Sequence, residues 1–590
     1  MAERRAGAVH GGGGHVAHRL LPGAYRDSLV LMQLQRRLEE LPGVEEAGAV
    51  MATAANRDLL AERDLLPPGA PPGRPDDLLV AVRAADGAAA EAALDRVEEL
   101  LAIRRAGGDG SSEHRPRSLA AGLAALPEAR WVLVSVPGRW APGVARDALA
   151  AGRNVFLYSD NVPLAEEVAL KAEAARRGLL VLGPDCGTAW IAGTGLGFAN
   201  RVRRGRVGLV AASGTGAQAV ACGLDARGEG ISHGLGTGGR DLSAEVGGAT
   251  ALAALDLLGR DPGTEAIVLV SKPPAPEVAA RVLAAARRTG KPTVVWFVGA
   301  AAPARRVGEL RFATGSVEAA ELAVEAVRQP RAEDGAGGEG GRSDRPSRSS
   351  TSAGWMRGLF SGGTLAAEAA VGLAPFLVPL AANFAVPGVR RLDAGGSGHT
   401  ILDLGADELT AGRPHPMIDP APLVERLREA AADPETRLLL FDVVLGDGAH
   451  ADPAGRIAPC LEEALAAARA EGRELAAVAV LVGAADDPQD RVAQAERLRA
   501  AGALVASSVT EAVAHAVDAC PVAADDPPDP IDPDVLAAPL SAVNVGLETF
   551  HDAVRAQGAA AVHVDWRPPA GGDERLARIL ERARRKDRAS

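Results

Sequence analysis

Cysteine is scarce in this 590-residue sequence. Its four thiols, Cys186, Cys222, Cys460 and Cys520, are too scattered for a CxxC metal site or a disulfide framework. That spacing predicts no structural metal and fits a reducing, cytoplasmic setting. Aromatics make up only 3% of the chain, and lysine is rare beside arginine, a bias that reads as genomic composition rather than function. An excess of basic charge is missing as well. The 64 Lys+Arg residues against 76 Asp+Glu give −12, which leaves no general face for nucleic acid and favours small-molecule partners. Long apolar runs are also lacking. The stretch from Val371 to Val389 approaches membrane-spanning length, but Pro375, Pro379, Asn383 and Pro387 interrupt it, so it reads as a helix end plus loop with no membrane role. The opening MAERRAGAVHGGGGHVAHR has charge without the apolar core of a secretory signal, and residues 1–24 are expected to be disordered and outside the fold.

What is present is ordinary globular material, 47% hydrophobic and 24% charged, long enough for about four domains. Residues 25–105 read as a small α+β domain: helix Asp27–Leu41, strand Glu46–Met51, helix Ala54–Glu62, strand Asp77–Arg83 and helix Ala88–Leu101. A polar linker covers Gly107–Arg117. From Arg130, short apolar runs (WVLVSVP, NVFLYSD, LLVLGPDCGT) alternate with helical patterns, the signature of parallel, doubly wound βαβ units whose ligand loops sit at strand C-termini. A second such series opens at Gly205. After the Gly-, Ser- and Pro-rich segment Gln329–Gly354, expected to be a flexible linker, a third opens at Leu359. The second and third series echo each other, each placing a Ser-Gly element before an Ala-rich helix. The tail, 526–590, holds a short apolar stretch and a basic helix, Asp573–Lys586, and receives no chemistry.

Those two elements, Ser213-Gly214-Thr215-Gly216 and Ser361-Gly362-Gly363-Thr364, put a hydroxyl and unpaired amides where a helix dipole begins, so both are candidate phosphate sites. Gly-rich turns before capped helices are also common structural features. Gly236, Gly238 and Gly239 are candidate substrate-binding glycines, with Arg240 beside them to pair with a carboxylate or phosphate; the structural alternative is an Arg240 paired with Asp241 or Glu245. Gly183, Pro184, Asp185, Cys186 and Gly187 close a strand at the expected ligand edge and are candidate cofactor contacts. Cys186 lacks an activating base in sequence, and a buried thiol is the alternative there. In the third series, Arg413, His415, Asp447 and His450 are candidate catalytic groups on Pro- and Gly-stiffened loops, set against helix capping and simple exposure. His399 is the remaining conspicuous imidazole.

Taken together, AYRDSLVLMQLQRRLEE, FLYSDNVPLAEEVALKA, GLLVLGPDCGTAWIAGT, SGTG, GGRDLSAEVGG, VSKPP, GGTLAAEAA, GRPHPMIDP and DVVLGDGAHADPA resemble the FdrA family nearly end to end. The core of that family looks like the α subunit and the carboxyl-terminal β-subunit domain of succinyl-CoA synthetase. The resemblance implies a Rossmann-like CoA-binding domain at 118–202 and flavodoxin-like ligase domains at 203–328 and 355–525. It also implies coenzyme A as a possible cofactor, an oligomer, and other enzyme subunits as partners. In the synthetases two helix N-termini flank a phosphorylated histidine, but here the segment after KPTVVWFVGA reads APARRVGELRFATGS, without that histidine. The acidic partner loop is replaced by Val270-Ser271-Lys272-Pro273-Pro274, no ATP-grasp segment is present, and the first βα turn, Ser135-Val136-Pro137-Gly138-Arg139, is not a full GxGxxG. The family resemblance implies phosphorolysis of oxalurate to oxamate and carbamoyl phosphate in purine and allantoin breakdown. Two alternatives stay open: an acid–thiol ligase with a separate ATP-grasp subunit and a displaced histidine carrier, or a non-catalytic CoA- or metabolite-binding scaffold.

Overall fold

A computed structural model describes residues 4–6, 14–24, 28–67, 70–74, 77–102, 115–300, 302–329, 354–392, 397–521 and 530–568. The expected linkers at 107–117 and 329–354 fall almost wholly outside these residues, and the basic helix Asp573–Lys586 entirely so. Four sheets organise the described chain. No described helix is long and apolar enough to cross a membrane.

The N-terminal sheet is antiparallel, in the order Arg4–Ala6, His15–Leu21, Leu78–Ala84, Val44–Met51, and packs against helices Ser28–Glu39, Gly87–Asp95 and Val97–Ala102. His15–Leu21, assigned to a disordered N-terminus, is an interior strand paired along its length with Leu78–Ala84. Its inward positions are Ala17 and Arg19, so the alternation is hidden by a basic residue whose stem is buried and whose guanidinium reaches Asp95 at 2.6 Å.

The Rossmann-like sheet is all parallel, in the order Ala560–Val564, Ser541–Val545, Trp131–Val134, Asn154–Leu157, Val181–Leu182. Every residue of Trp131–Val134 and Asn154–Leu157 is buried, as a strand covered on both faces requires. Two of its five strands therefore come from the carboxyl-terminal segment, some four hundred residues away in sequence. That segment also holds the first βα turn, because Leu547 N donates to Ser135 Oγ at 2.7 Å. Conversely, the hairpin Thr188–Ile191 and Thr194–Gly197 leaves the Rossmann-like unit and edges the next sheet through Trp190 and Gly234.

The first ligase sheet has eight strands, with Arg204–Ala211 at its centre between Ile231–Gly236 and Ala266–Ser271, followed by Thr293–Phe297. The second has seven, all parallel, with Trp355–Phe360 between His399–Asp403 and Thr436–Val444. One continuous apolar cluster runs through all three of these units, and Phe312 meets Phe376 edge-on at 6.2 Å between the two ligase sheets. An Arg287–Asp518 ion pair joins them as well.

Candidate functional site

Parallel strands send their loops to one edge, and the predicted residues gather on two such edges. At the first, the loop 183–188 and the loop 236–239 are pressed backbone to backbone. A Cβ on Gly238 would lie 2.2 Å from Pro184 O, and one on Gly236 would lie 2.4 Å from Thr188 O and 2.5 Å from Cys186 Sγ. Gly183, at φ +113°, similarly approaches Leu157 O. Cofactor and substrate candidates thus form one contact, and the close approach that Gly236 and Gly238 permit is to protein carbonyls. The Cys186 thiol faces Gly236 O at 3.4 Å, and burial pushes it up to about 12, so it supplies no thiolate at neutral pH. Asp185 stays exposed. Partial burial and then the charge of Asp160 raise its carboxyl, against Arg240 and Lys272, which lower it.

Arg240 pairs with neither Asp241 nor Glu245. Its Nε donates to Glu167 Oε2 at 2.9 Å and its Nη2 to Val162 O at 2.8 Å. Glu167 is fully buried and shares Lys171 with Asp241, at 2.9 and 2.7 Å from Nζ. Lys171 Nζ also donates to Thr237 O, while Asp241 accepts from the amides of Thr250 and Ala251. A four-residue ion network, buried except at the exposed Arg240, thereby ties helix Leu164–Arg176 to the Gly-rich loop and to helix Ala249–Arg260. Sequence reasoning missed it, because its members are far apart in the chain.

At the same edge helix Gly214–Ala226 begins. Ser213 Oγ caps it by accepting from Gly216 N at 3.3 Å. Gly214 borders Thr188 Oγ1, which a Cβ would meet at 3.7 Å, so this terminus adjoins the 183–188 loop. Gly214 and Thr215 have no backbone partner for their amides among the described residues.

The second edge differs. Helix Gly363–Leu373 begins beside two carboxylates. Asp442, fully buried, accepts from Ser361 N at 2.6 Å and Gly362 N at 2.8 Å, so two amides expected to cradle phosphate are already occupied. Asp403 lies across Gly363, whose Cβ would be 2.7 Å from Oδ2, and accepts from Gly405 N at 2.9 Å. Burial pushes Asp442 up to about 6 despite the two amide donors. Phosphate binding by Ser361 and Gly362 through their amides therefore requires displacing a resident anion. The sequence offers Asp442 only as an acidic candidate following a strand, and it gives no signal for Asp403.

His415 joins this edge. A Cβ on Gly405 would lie 2.7 Å from both His415 Nε2 and Ser361 O, and 3.3 Å from Asp403 Oδ1. His415 Nδ1 accepts from Met417 N, and His450 Nδ1 from Asp452 N, which places the proton of each neutral ring on Nε2. His450 N donates to Met417 O, so the 413–419 and 446–452 loops are in contact. Arg413 and Asp447 are exposed on these loops. His399 does not belong here. It begins its strand at the opposite edge, is buried with Nδ1 bound to Met356 N, and burial lowers it to about 4.

Comparison with known proteins places these edges in context. Residues 359–518 match the CoA-ligase family, and residues 15–116 match "AllF, heavy metal-associated domain". The chain is 41% identical over 493 residues, 83% of its length, to 95% of the uncharacterized protein YahF of Escherichia coli. It is 28% identical over 207 residues, 33% of its length, to 67% of the succinate–CoA ligase [ADP-forming] subunit alpha of Methanothermobacter thermautotrophicus. Among solved structures, PH0766 from Pyrococcus horikoshii is 15% identical with a TM-score of 0.28, covering 68% of this chain and 86% of that one. The metal implied by the amino-terminal match does not fit the residues present. Residues 15–116 contain no cysteine, and no cluster of three His, Cys, Asp or Glu among the described residues could hold an ion.

Proposed function

Because this chain belongs to the FdrA family and carries a succinyl-CoA-synthetase-like CoA-ligase domain, we propose that it catalyses phosphate-dependent carbamoyl transfer, the phosphorolysis of oxalurate to oxamate and carbamoyl phosphate, in concert with other subunits. The observation that carries this reading is the pairing of an open helix terminus at Ser213–Gly216 with a following loop, Val298–Arg305, that contains no histidine to carry a phosphoryl group. A terminus that binds an anion without a covalent carrier suits free phosphate as the nucleophile.

In this reading phosphate rests on the amides of Gly214 and Thr215. One of its oxygens attacks the ureido carbon of oxalurate, the carbon–nitrogen bond to the oxamate nitrogen breaks, and that nitrogen takes a proton. His415 and His450, each with its proton on Nε2, are the donors available for it. Arg413, exposed on its stiff loop, orients the substrate carboxylate. Arg240 acts as a positioning residue, since its Nε and Nη2 are held by Glu167 and Val162. Both edges serve one substrate in this scheme, and main-chain amides stabilise the charge that develops on the carbonyl oxygen.

Coenzyme A belongs to the competing reading, acid–thiol ligation with a separate ATP-grasp subunit, which the CoA-ligase match and the position of His415 favour. Its bound form would bring the thiol acceptor to the 183–188 loop. Replacing Ser213 by Pro tests whether this terminus belongs to the site. We expect phosphate-dependent oxalurate cleavage to fall at least about a hundredfold as the helix start is broken. Retained activity with intact phosphate dependence would remove the terminus from the site.

A further inference from the structure

The 64 basic residues of this chain include only four lysines, Lys171, Lys272, Lys291 and Lys586. A chain that writes nearly every cation as arginine keeps lysine where a planar guanidinium fails. Two of the lysines show this directly. Lys171 Nζ is enclosed by Glu167, Asp241 and Thr237 O, and Lys291 Nζ by the carbonyls of Leu258 and Asp261, both at 2.6 Å. Each pocket fits a compact ammonium and not a fork. Lys586 lies outside the described residues.

Lys272 has no such pocket. It is exposed and makes no hydrogen bond or ion pair with a described residue, so the packing that retains the other two does not explain it. Its place in the sheet does. Strands Arg204–Ala211 and Ala266–Ser271 are parallel neighbours with Ala211 opposite Val270, and Ala212 N donates to Val270 O at 2.8 Å. Ser213 and Lys272 therefore stand two residues beyond paired positions, on strands about 4.8 Å apart, at the same edge. The cap of helix Gly214–Ala226 and an exposed ammonium, whose charge also acts on Asp185, leave the sheet side by side. Arg240, the other cation acting on Asp185, is already committed to Glu167 and Val162.

We propose that Lys272 is the cationic ligand of the phosphoryl group bound at the Ser213–Gly216 terminus, an assignment that rests on the function proposed above. A point charge on a flexible stem can meet a phosphate oxygen while leaving the remaining oxygens to the amides of Gly214 and Thr215. A guanidinium would claim two oxygens at once and compete with those amides.

The test is equilibrium dialysis of radiolabelled inorganic phosphate with the full chain and its Lys272→Gln and Lys272→Arg variants, with coenzyme A titrated in parallel. Because the side chain is exposed and makes no hydrogen bond or ion pair with a described residue, all three proteins should have the same thermal unfolding profile. We expect phosphate affinity to fall about tenfold or more in Lys272→Gln, with no full recovery in Lys272→Arg and coenzyme A affinity unchanged. Phosphate affinity within twofold of the parent in Lys272→Gln, full affinity in Lys272→Arg, or a loss confined to coenzyme A would each overturn the assignment. A parent chain that binds phosphate yet cleaves no oxalurate contradicts the proposed reaction alone, with Lys272 still judged by the affinities. A parent that binds no phosphate overturns both.

Discussion

Asp442 offers a measurable consequence of the second helix terminus. Its carboxyl is fully buried, and burial raises it from 3.8 to about 6 against the opposing pull of the Ser361 and Gly362 amides. Between these values the folded chain holds a proton that the unfolded chain has released, so stability falls as pH rises through the window and levels off above it. That rise of the Asp442 carboxyl corresponds to about 3 kcal/mol. Asp442→Asn keeps the shape and removes the titration, while its single carbonyl oxygen can accept from only one of the two amides. The stability of the parent minus that of the variant should therefore drop by about 3 kcal/mol between pH 3.5 and 6.5 and stay constant above. Hydrogen exchange along strand Thr436–Val444 reads this locally, free of titrations in the other domains. A gap that is flat, or that widens with pH, would show that the amides balance or outweigh burial and that the raised carboxyl is wrong.

Two further outcomes follow from buried groups. Lys171→Met strands the Glu167 and Asp241 carboxylates in the interior and should cost about 3–5 kcal/mol in denaturant unfolding; a cost under about 1 kcal/mol would mean that the network is hydrated. Native-state alkylation at pH 8 should modify the exposed Cys222 and spare the buried Cys186, Cys460 and Cys520, and prompt labelling of Cys186 would contradict its placement between Thr188 O and Gly236 O.

Much of this architecture is legible in the sequence because parallel, doubly covered strands such as Trp131–Val134 and Ala266–Ser271 are uninterrupted apolar runs. The strands that escaped notice break that rule. His15–Leu21 carries two histidines and a snorkelling arginine, and Ser541–Val545 and Ala560–Val564 pair with partners no local pattern can indicate. The loops were visible from their glycines, but their meaning was not. Gly236 and Gly238 looked like room for a ligand and instead admit the Thr188 and Pro184 carbonyls. Likewise the internal echo of the two Ser-Gly elements is real in backbone terms, since each precedes a helix at a strand's C-terminal end. Only the structure shows that Asp442, eighty residues away, fills one of them. Chemistry that depends on long-range neighbours, such as the Arg240–Glu167 pair, is invisible to spacing.

The decisive measurement supplies the full chain, alone and with the subunits proposed to act beside it, with oxalurate and radiolabelled phosphate, without ATP or coenzyme A. Labelled carbamoyl phosphate and oxamate are expected in equal amounts, with a rate that saturates in phosphate. Turnover that appears only with ATP and coenzyme A, accompanied by phosphoryl label on His415 or His450, would contradict the proposed carbamoyl transfer.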